Sequence, residues 1–574
     1  MSTLATSTYT VENVVDSLFM LYCTSLLPLV IIGIAVFYGG LTQRRSSLTM
    51  LGLPILLTPL VFIDWFIWSY SLSYASAKNA FIGSMEFVVL RHLRDPSNAL
   101  YVTPRGTISS VNHFAFNGLM KAICVALTFP GCIAERGRII PMLVFLFFWS
   151  CMIYNPVTYW FWNQSGWLSS QKDRLPVLDF AGGNCIHIVS GFTALAYSYI
   201  LGPRNPKILY NYRNTNTAWV LLGTFLSLCG WVGFVTGCDY KFSDRSGYIA
   251  VNTVLCACVS GVIWTMIDYY FSAIPFEGEV IPEQQVIPDG NLAVTTTMSP
   301  TGVNLNQYSH SRPNTHPRRK ISLISFSSGV MTGLVVITPS GGYISSSSEF
   351  WKAFLFGIVG TILTNLSTRV KYYMHVDDAL DIFAIHGVAG IIGSIMTGIF
   401  ATARYESEGG WVEGHWIQIC YQLLGSVVTS VYVFVLSCAF LYLIDWIPFL
   451  HLRIDKDFNK RMREQKLLRE RQEKGEVVEG AELDVEAQEQ NHHTVNETEK
   501  WELLGTDNYE FNGEFLMDFM EFIKIISPDD YPVEDEYITG DSVVAGSRSG
   551  TSSDYQPYPE GYGLSERLHH NKTE

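Results

Sequence analysis

"LDFAGGNCIH" (178–187) and "DALDIFAIH" (378–386) each place a histidine eight positions after an aspartate: Asp179 with His187, and Asp378 with His386. The surrounding chain is strongly apolar. The stretches 18–38, 139–161 and 423–444 contain no Asp, Glu, Lys or Arg. Each is long enough to cross a bilayer core about 30 Å thick at about 1.5 Å per helical residue. Apolar residues make up 48% of the 574 and charged residues only 16%, below the quarter usual for soluble domains. The fold class expected is an all-α polytopic membrane protein.

Eleven spans are expected, near 18–38, 48–72, 112–132, 139–161, 179–201, 217–237, 248–270, 321–340, 350–368, 379–401 and 418–446. Basic residues in short loops mark the cytoplasmic side. Arg44, Arg45, Arg136, Arg138, Arg204, Lys207, Arg369, Lys371, Arg453 and Lys456 share one side if the spans alternate. The N-terminus then lies outside and the C-terminus is cytoplasmic. The domain organisation is an external N-terminus (1–17), a membrane domain (18–450) and a cytoplasmic, partly disordered regulatory tail (451–574). A polar cytoplasmic insert occupies 271–320, and the external segment 73–111 is expected to pack over a pore mouth. The net charge of −14 comes mostly from the acidic tail. Eleven cysteines are scattered without metal-ligand spacing and read as small packing residues. Asn163-Gln164-Ser165 is a glycosylation acceptor on the expected outer side.

On a regular helix, eight residues rise about 12 Å and rotate by about 80°, so neither aspartate can orient its histidine directly. It can instead receive free backbone N–H groups at the start of its span. With alternating spans, 179 enters from outside and 379 from inside. Both histidines then reach the midplane, the pattern of an inverted five-plus-five repeat around a pore. Two paired imidazoles can share a proton, one nitrogen donating while the other accepts. The alternative is two unrelated buried histidines, each bonded to a backbone carbonyl.

At this point the chain resembles the ammonium transporter family (Amt/Mep/Rh), particularly its fungal Mep ammonium permease branch, as a divergent member. The resemblance rests on "VFYGGLTQRRSSLTML" (36–51), "IAERGRIIPMLVFLFFW" (133–149), "WFWNQSGWL" (160–168), "LDFAGGNCIHIVSG" (178–191), "GWVGF" (230–234), "GLVVITPSGGY" (333–343) and "DDALDIFAIHGVAGIIGSIMTGIF" (377–400). It implies homotrimers of eleven-span protomers in the plasma membrane, or heterotrimers with related transporters, each protomer with its own conduction path. It further implies that His187 and His386 are twin pore histidines. Asp179 matches an outer acidic position and Asp378 its counterpart, Trp162 an aromatic wall of the outer cation site, and Trp231 and Phe234 aromatics along the path. The mechanism implied is cation recruitment, deprotonation and passage of ammonia through a hydrophobic pore.

Four positions depart from that pattern. The pore-mouth phenylalanine falls on Met120 or Lys121, Val235 stands where asparagine is usual, and Cys238 where serine is usual. A pore-facing Lys121 ammonium would repel a cation by about 4 kcal/mol at 4 Å and an effective dielectric near 20. Turned into the bundle and paired with an acid, it leaves transport intact. Two functions therefore stand: ammonium uptake, and a poorly conducting ammonium sensor or regulatory subunit. A channel for another solute has no selectivity pattern behind it. The tail stretch "WELLGTDNYEFNGE" (501–514) resembles the family's tail motif and is expected to dock on cytoplasmic loops, with regulatory proteins or a kinase as partners and Thr506 and Ser527 as acceptor hydroxyls. No nucleotide-binding loop, metal cluster or nucleic-acid surface is present in the sequence, so neither a cofactor nor enzymatic activity is expected.

Overall fold

Within hydrocarbon a backbone has to satisfy its own polar groups, and helices do so segment by segment. The computed structural model describes residues 11–271, 319–473 and 497–511, apart from 94, 96–97, 103–106, 172–174, 210–211, 347 and 405–406. The membrane region is a bundle of α1 (Val11–Leu41), α2 (Arg44–Tyr74), α3 (Ser110–Ile133), α4 (Ile139–Trp162), α5 (Gly183–Leu201), α6 (Thr217–Gly237), α7 (Asp244–Phe271), α8 (Leu323–Ile337), α9 (Phe350–Tyr373), α10 (Phe383–Phe400) and α11 (Ile417–Asp445). All but α8 are long and apolar enough to cross a membrane. The insert expected over 271–320 and the glutamate-rich part of the tail fall almost wholly outside the described residues.

Helix α3 is buried along nearly its whole length, whereas α2 and α11 carry exposed apolar rows, Leu56, Leu60 and Ile63 on one and Val427, Val431 and Val435 on the other. Outward apolar rows at helical spacing suit a lipid solvent. The segment expected over the pore mouth includes a small hairpin, β1 (Leu100–Val102) with β2 (Thr107–Ser109). Its Tyr101 ring stacks on His113 near the start of α3, the centroids 3.7 Å apart.

Three helices are interrupted where the sequence reading placed full spans. Helix α5 begins at Gly183 rather than 179, α10 at Phe383 rather than 379, and α8 stops at Ile337 rather than near 340. Glycine and proline account for two of the breaks. Gly182 takes φ +112°, a left-handed conformation that costs glycine little. Pro339 disfavours helix at Thr338 and lacks an N–H to continue it. The expected 12 Å separation of each aspartate and histidine along a helix is therefore wrong: both histidines lie in the first turns of their helices. Those turns, Gly183–Ile188 and Phe383–Val388, are wide π-turns. Helices α5 and α10 cross where a Cβ on Gly191 would collide with the Gly387 backbone.

At the basic end, charges are paired in layers. The Arg204 guanidinium meets Asp377 and Glu135, both at 2.8 Å, and Arg136 donates to the Asp377 carbonyl at 2.7 Å. Asp378 accepts from the Phe383 N–H at 2.7 Å, and its other carboxylate oxygen is buried without a partner. Burial pushes the Asp378 carboxyl up to about 6, with Asp381 adding to the rise and Lys371 opposing it.

The tail crosses this end as α12 (Phe458–Glu473), α13 (Glu497–Leu504) and α14 (Thr506–Glu510). Neither the regular part of α2, which starts at Ser47 after the 3-10 turn Arg44–Ser46, nor α4 has a local side-chain cap. Asp507 instead accepts from Leu48 N–H at 2.9 Å and from Thr49 N–H and hydroxyl at 2.7 and 2.6 Å. Glu510 accepts from Ile139 N–H at 2.7 Å, and Glu502 pairs with buried Arg453 at 2.9 Å. Two tail carboxylates thus occupy the positive ends of two membrane helices.

Replacing Asp507 by Ala should destabilise the start of α2 by about 1–2 kcal/mol, the usual loss for a capping carboxylate. Amide exchange at Leu48 and Thr49 should quicken accordingly; unchanged protection would refute the cap. For Asp378, an aspartate whose folded pKa is raised keeps its proton longer folded than unfolded. Its contribution is fully present below about pH 4, the ordinary aspartate value, and is lost as pH rises to about 6. The melting temperature of Asp378→Asn, plotted over that window, should fall less steeply than that of the parent chain.

Candidate functional site

The backbone entering α5 is extended, and each of its hydrogen-bonding groups needs a partner from elsewhere. Gln422 accepts from Leu178 N–H at 2.7 Å and donates to the Leu178 carbonyl at 2.8 Å. Gln418 donates to the Pro176 carbonyl at 2.8 Å, and Phe180 N–H reaches the Pro339 carbonyl at 3.1 Å. Asp179 then closes the start of the helix. One carboxylate oxygen accepts from Gly182 and Gly183 N–H at 2.9 and 2.6 Å, the other from Asn184 and Cys185 at 2.8 and 3.2 Å. The expected use of Asp179 on free N–H groups is met. Asp378 serves α10 less completely, which breaks the symmetry expected of the pair.

This framing holds His187 against His386. Their Nδ1 atoms are 3.4 Å apart and the rings are nearly parallel, 18° between planes and 5.4 Å between centroids. Trp231 stacks on His187, with 5.6 Å between ring centroids and 3° between planes. Phe234 meets Trp231 at 5.3 Å, and the Trp231 indole donates to the Thr338 hydroxyl at 3.2 Å. The His187 Nε2 and both amide atoms of Asn184 are buried without a protein partner. Leaving a polar group buried and unpaired costs about 1–3 kcal/mol, so these atoms suit a small polar molecule in transit. The arrangement excludes the alternative in which each imidazole bonds only to a carbonyl.

The other expected site residues are placed around this centre. Half-buried Trp162 donates its indole N–H to the Asp179 carbonyl at 2.9 Å. Cys238 points back along α6, its thiol 3.3 Å from the Phe234 carbonyl. Val235 is buried against Gly341 in the turn after α8. Met120 is buried in α3. The sequence reading left out Thr338, Asn184, Gln418 and Gln422. Thr338 sat within the quoted "TPSGGY", and both glutamines interrupt an apolar run, which was the available signal.

Lys121 does not meet the histidines. Its ammonium pairs with Asp64 of α2 and donates to Ser69 and Ser150 at 2.9 and 2.5 Å. Of the two positions left open for Lys121, the structure has the one paired with an acid in the bundle, and that acid lies in α2, close to α3 in space and far from it in sequence. Asn163 is also buried, its amide donating to the Ser73 carbonyl at 3.3 Å. The folded chain therefore presents no free amide for a glycan there.

Comparison with known proteins agrees with this geometry. The Ammonium Transporter Family profile matches residues 18–275 and 279–465. Ammonium transporter 1 of Schizosaccharomyces pombe is 34% identical over 451 residues, which span 77% of this chain and 79% of that protein. Ammonium transporter MEP2 of Saccharomyces cerevisiae is 30% identical, over 74% of this chain and 76% of its own. Among solved structures, the crystal structure of Candida albicans Mep2 superposes with a TM-score of 0.63 at 29% identity, covering 77% of this chain and 86% of that one. Matched over most of its length by sequence and by fold, this chain belongs to the ammonium transporter family.

Proposed function

We propose that the protein carries ammonium across a membrane by taking up the cation, removing its proton and passing ammonia along a hydrophobic path at the His187–His386 pair. The observation that carries this is the 3.4 Å approach of the two Nδ1 atoms, with Trp231 stacked on His187. One hydrogen on that line fixes both tautomers: the imidazole that donates at Nδ1 offers a lone pair at Nε2, and its partner offers an Nε2–H. The pair thus presents an acceptor at one end and a donor at the other, which suits ammonia. Moving the shared proton exchanges the two roles, which suits a relay. A bare cation among Trp231, Phe234 and the histidines would lose hydration that only weak cation–π attraction replaces, about 0.5–2 kcal/mol.

Asp179, by fixing the first turn of α5, keeps His187 in register, and Trp162 stands over the same backbone as an outer aromatic wall. Asp378 takes the corresponding place before His386. Cys238 and Val235 in place of polar groups weaken outer coordination and so lower affinity. The sensor reading rests on Lys121, Val235, Cys238 and the expanded cytoplasmic segments; the Lys121–Asp64 pair weakens the first of these supports and favours uptake. We further infer eleven spans, counting α8, with an inverted repeat, an external N-terminus and a cytoplasmic C-terminus. We likewise infer homotrimers in the plasma membrane, or heterotrimers with related transporters, a reading that the family resemblance supports. The helices support the membrane domain at 18–450, and the docked carboxylates support a regulatory tail after it.

In cells lacking their own ammonium transporters, the protein should restore growth on scarce ammonium; correctly delivered protein without rescue would defeat the proposal. In reconstituted vesicles, His187→Ala and His386→Ala should each lower ammonium flux at least tenfold, with folding retained. Truncation before Trp501 should change flux more than surface abundance, whereas equal loss of both would assign the tail to folding alone.

A further inference from the structure

The second polar centre in the bundle is built around Lys121. Its ammonium has three hydrogens, and three oxygens meet them: Asp64 Oδ2, Ser69 Oγ at 2.9 Å and Ser150 Oγ at 2.5 Å. The two hydroxyls each donate onward to Asp64 Oδ2 at 2.7 Å, which leaves each a lone pair for the cation, while Ser69 Oγ also accepts from the Asn155 amide at 2.9 Å. Trp65 and Tyr154 wall the group, their ring centroids 5.6 and 5.4 Å from Nζ. Both serines belong to π-turns, Trp65–Ser69 in α2 and Ser150–Tyr154 in α4. Such wide turns recur where a helix carries a site. The other two π-turns named above hold the histidines.

A carboxylate, two hydroxyls and two aromatic faces form a receptor for a compact N–H cation, and only the covalent stem distinguishes its occupant from free ammonium. A fourth acceptor is at hand, since Asp64 Oδ1 is buried without a partner. Lys121 is fully buried, and the Asp64 side chain is 19% exposed. We propose that Asp64, Ser69 and Ser150, between Trp65 and Tyr154, form a second ammonium-binding site outside the histidine passage, kept filled by the chain's own Lys121. Its ligands are ammonium and the smallest primary alkylammonium ions. A tethered occupant is present at high effective concentration, so in the intact protein free ammonium is held off and does not lodge beside the passage. The site stands on its own contacts and does not depend on the conduction mechanism.

The test is thermal melting of full-length protein, purified in detergent, in chloride salts of sodium, ammonium, methylammonium and tetramethylammonium. Lys121→Ala leaves room for methylammonium, and Lys121→Val leaves room for ammonium but not for a longer ion. Lys121→Ala should melt several degrees below the parent in sodium. Methylammonium should restore that loss saturably, by more than any shift it gives the parent, whose passage reports binding elsewhere. Lys121→Val should respond to ammonium and not to methylammonium, and tetramethylammonium, without N–H donors, should rescue neither. Adding Asp64→Asn should abolish both responses. If Lys121→Ala accumulates only when methylammonium is present throughout purification, that dependence supports the site. Equal shifts in parent and variants, rescue by tetramethylammonium, or unresponsive Lys121→Val overturns it, whether or not the chain transports ammonium.

Discussion

Asp179 makes an interrupted helix tolerable inside the bundle. A helix that starts within the bundle exposes unpaired N–H groups, each costing several kcal/mol in hydrocarbon. One buried carboxylate receives four of them, from Gly182 to Cys185. It can do so because Gly182 turns the chain through a left-handed conformation. The extended strand before it is satisfied from outside, by Gln418, Gln422 and Pro339. With that start fixed, His187 enters the bundle in the first turn of α5, where α10 can approach across the glycines. The His187–His386 contact is a consequence of this packing, since neither ring is tethered to the other by chain.

The same bundle contains two ways of holding a hydrogen-bonding nitrogen in an apolar setting. The imidazoles face each other and an indole, with His187 Nε2 left without a protein partner. The Lys121 ammonium is instead saturated, every donor met by oxygen and its flanks by rings. An unsaturated centre is available to a passing molecule, and a saturated one is closed to it. Charge alone does not distinguish a pathway from a structural pair; the count of satisfied donors and acceptors does.

At the basic end, the tail contributes what the membrane helices lack. Helices α2 and α4 start without side-chain caps of their own, and Asp507 and Glu510 supply them from hundreds of residues away. The helix ends most sensitive to tail position are therefore those of α2 and α4, which also carry the Lys121 cage. Arg453 and Glu502 anchor the tail beside these contacts.

The sequence by itself determined the class of fold, the approximate spans, the paired aspartate and histidine positions and the family. These follow from local composition, from spacing and from motifs that lie within single segments. It misjudged the helix starts, because the regular rise was carried through "AGGN" where Gly182 permits a turn instead. It also left Lys121 undecided and overlooked Asp64, because a side chain in α3 can find its partner only once α2 is packed beside it. The Nδ1-to-Nδ1 geometry of the expected His187–His386 pair, the four-donor load on Asp179, the glutamines on the Leu178 backbone and the remote caps were decided by tertiary structure alone. Each joins atoms whose separation along the chain carries no information about their distance, and only the burial of polar groups in a medium without water forces them together.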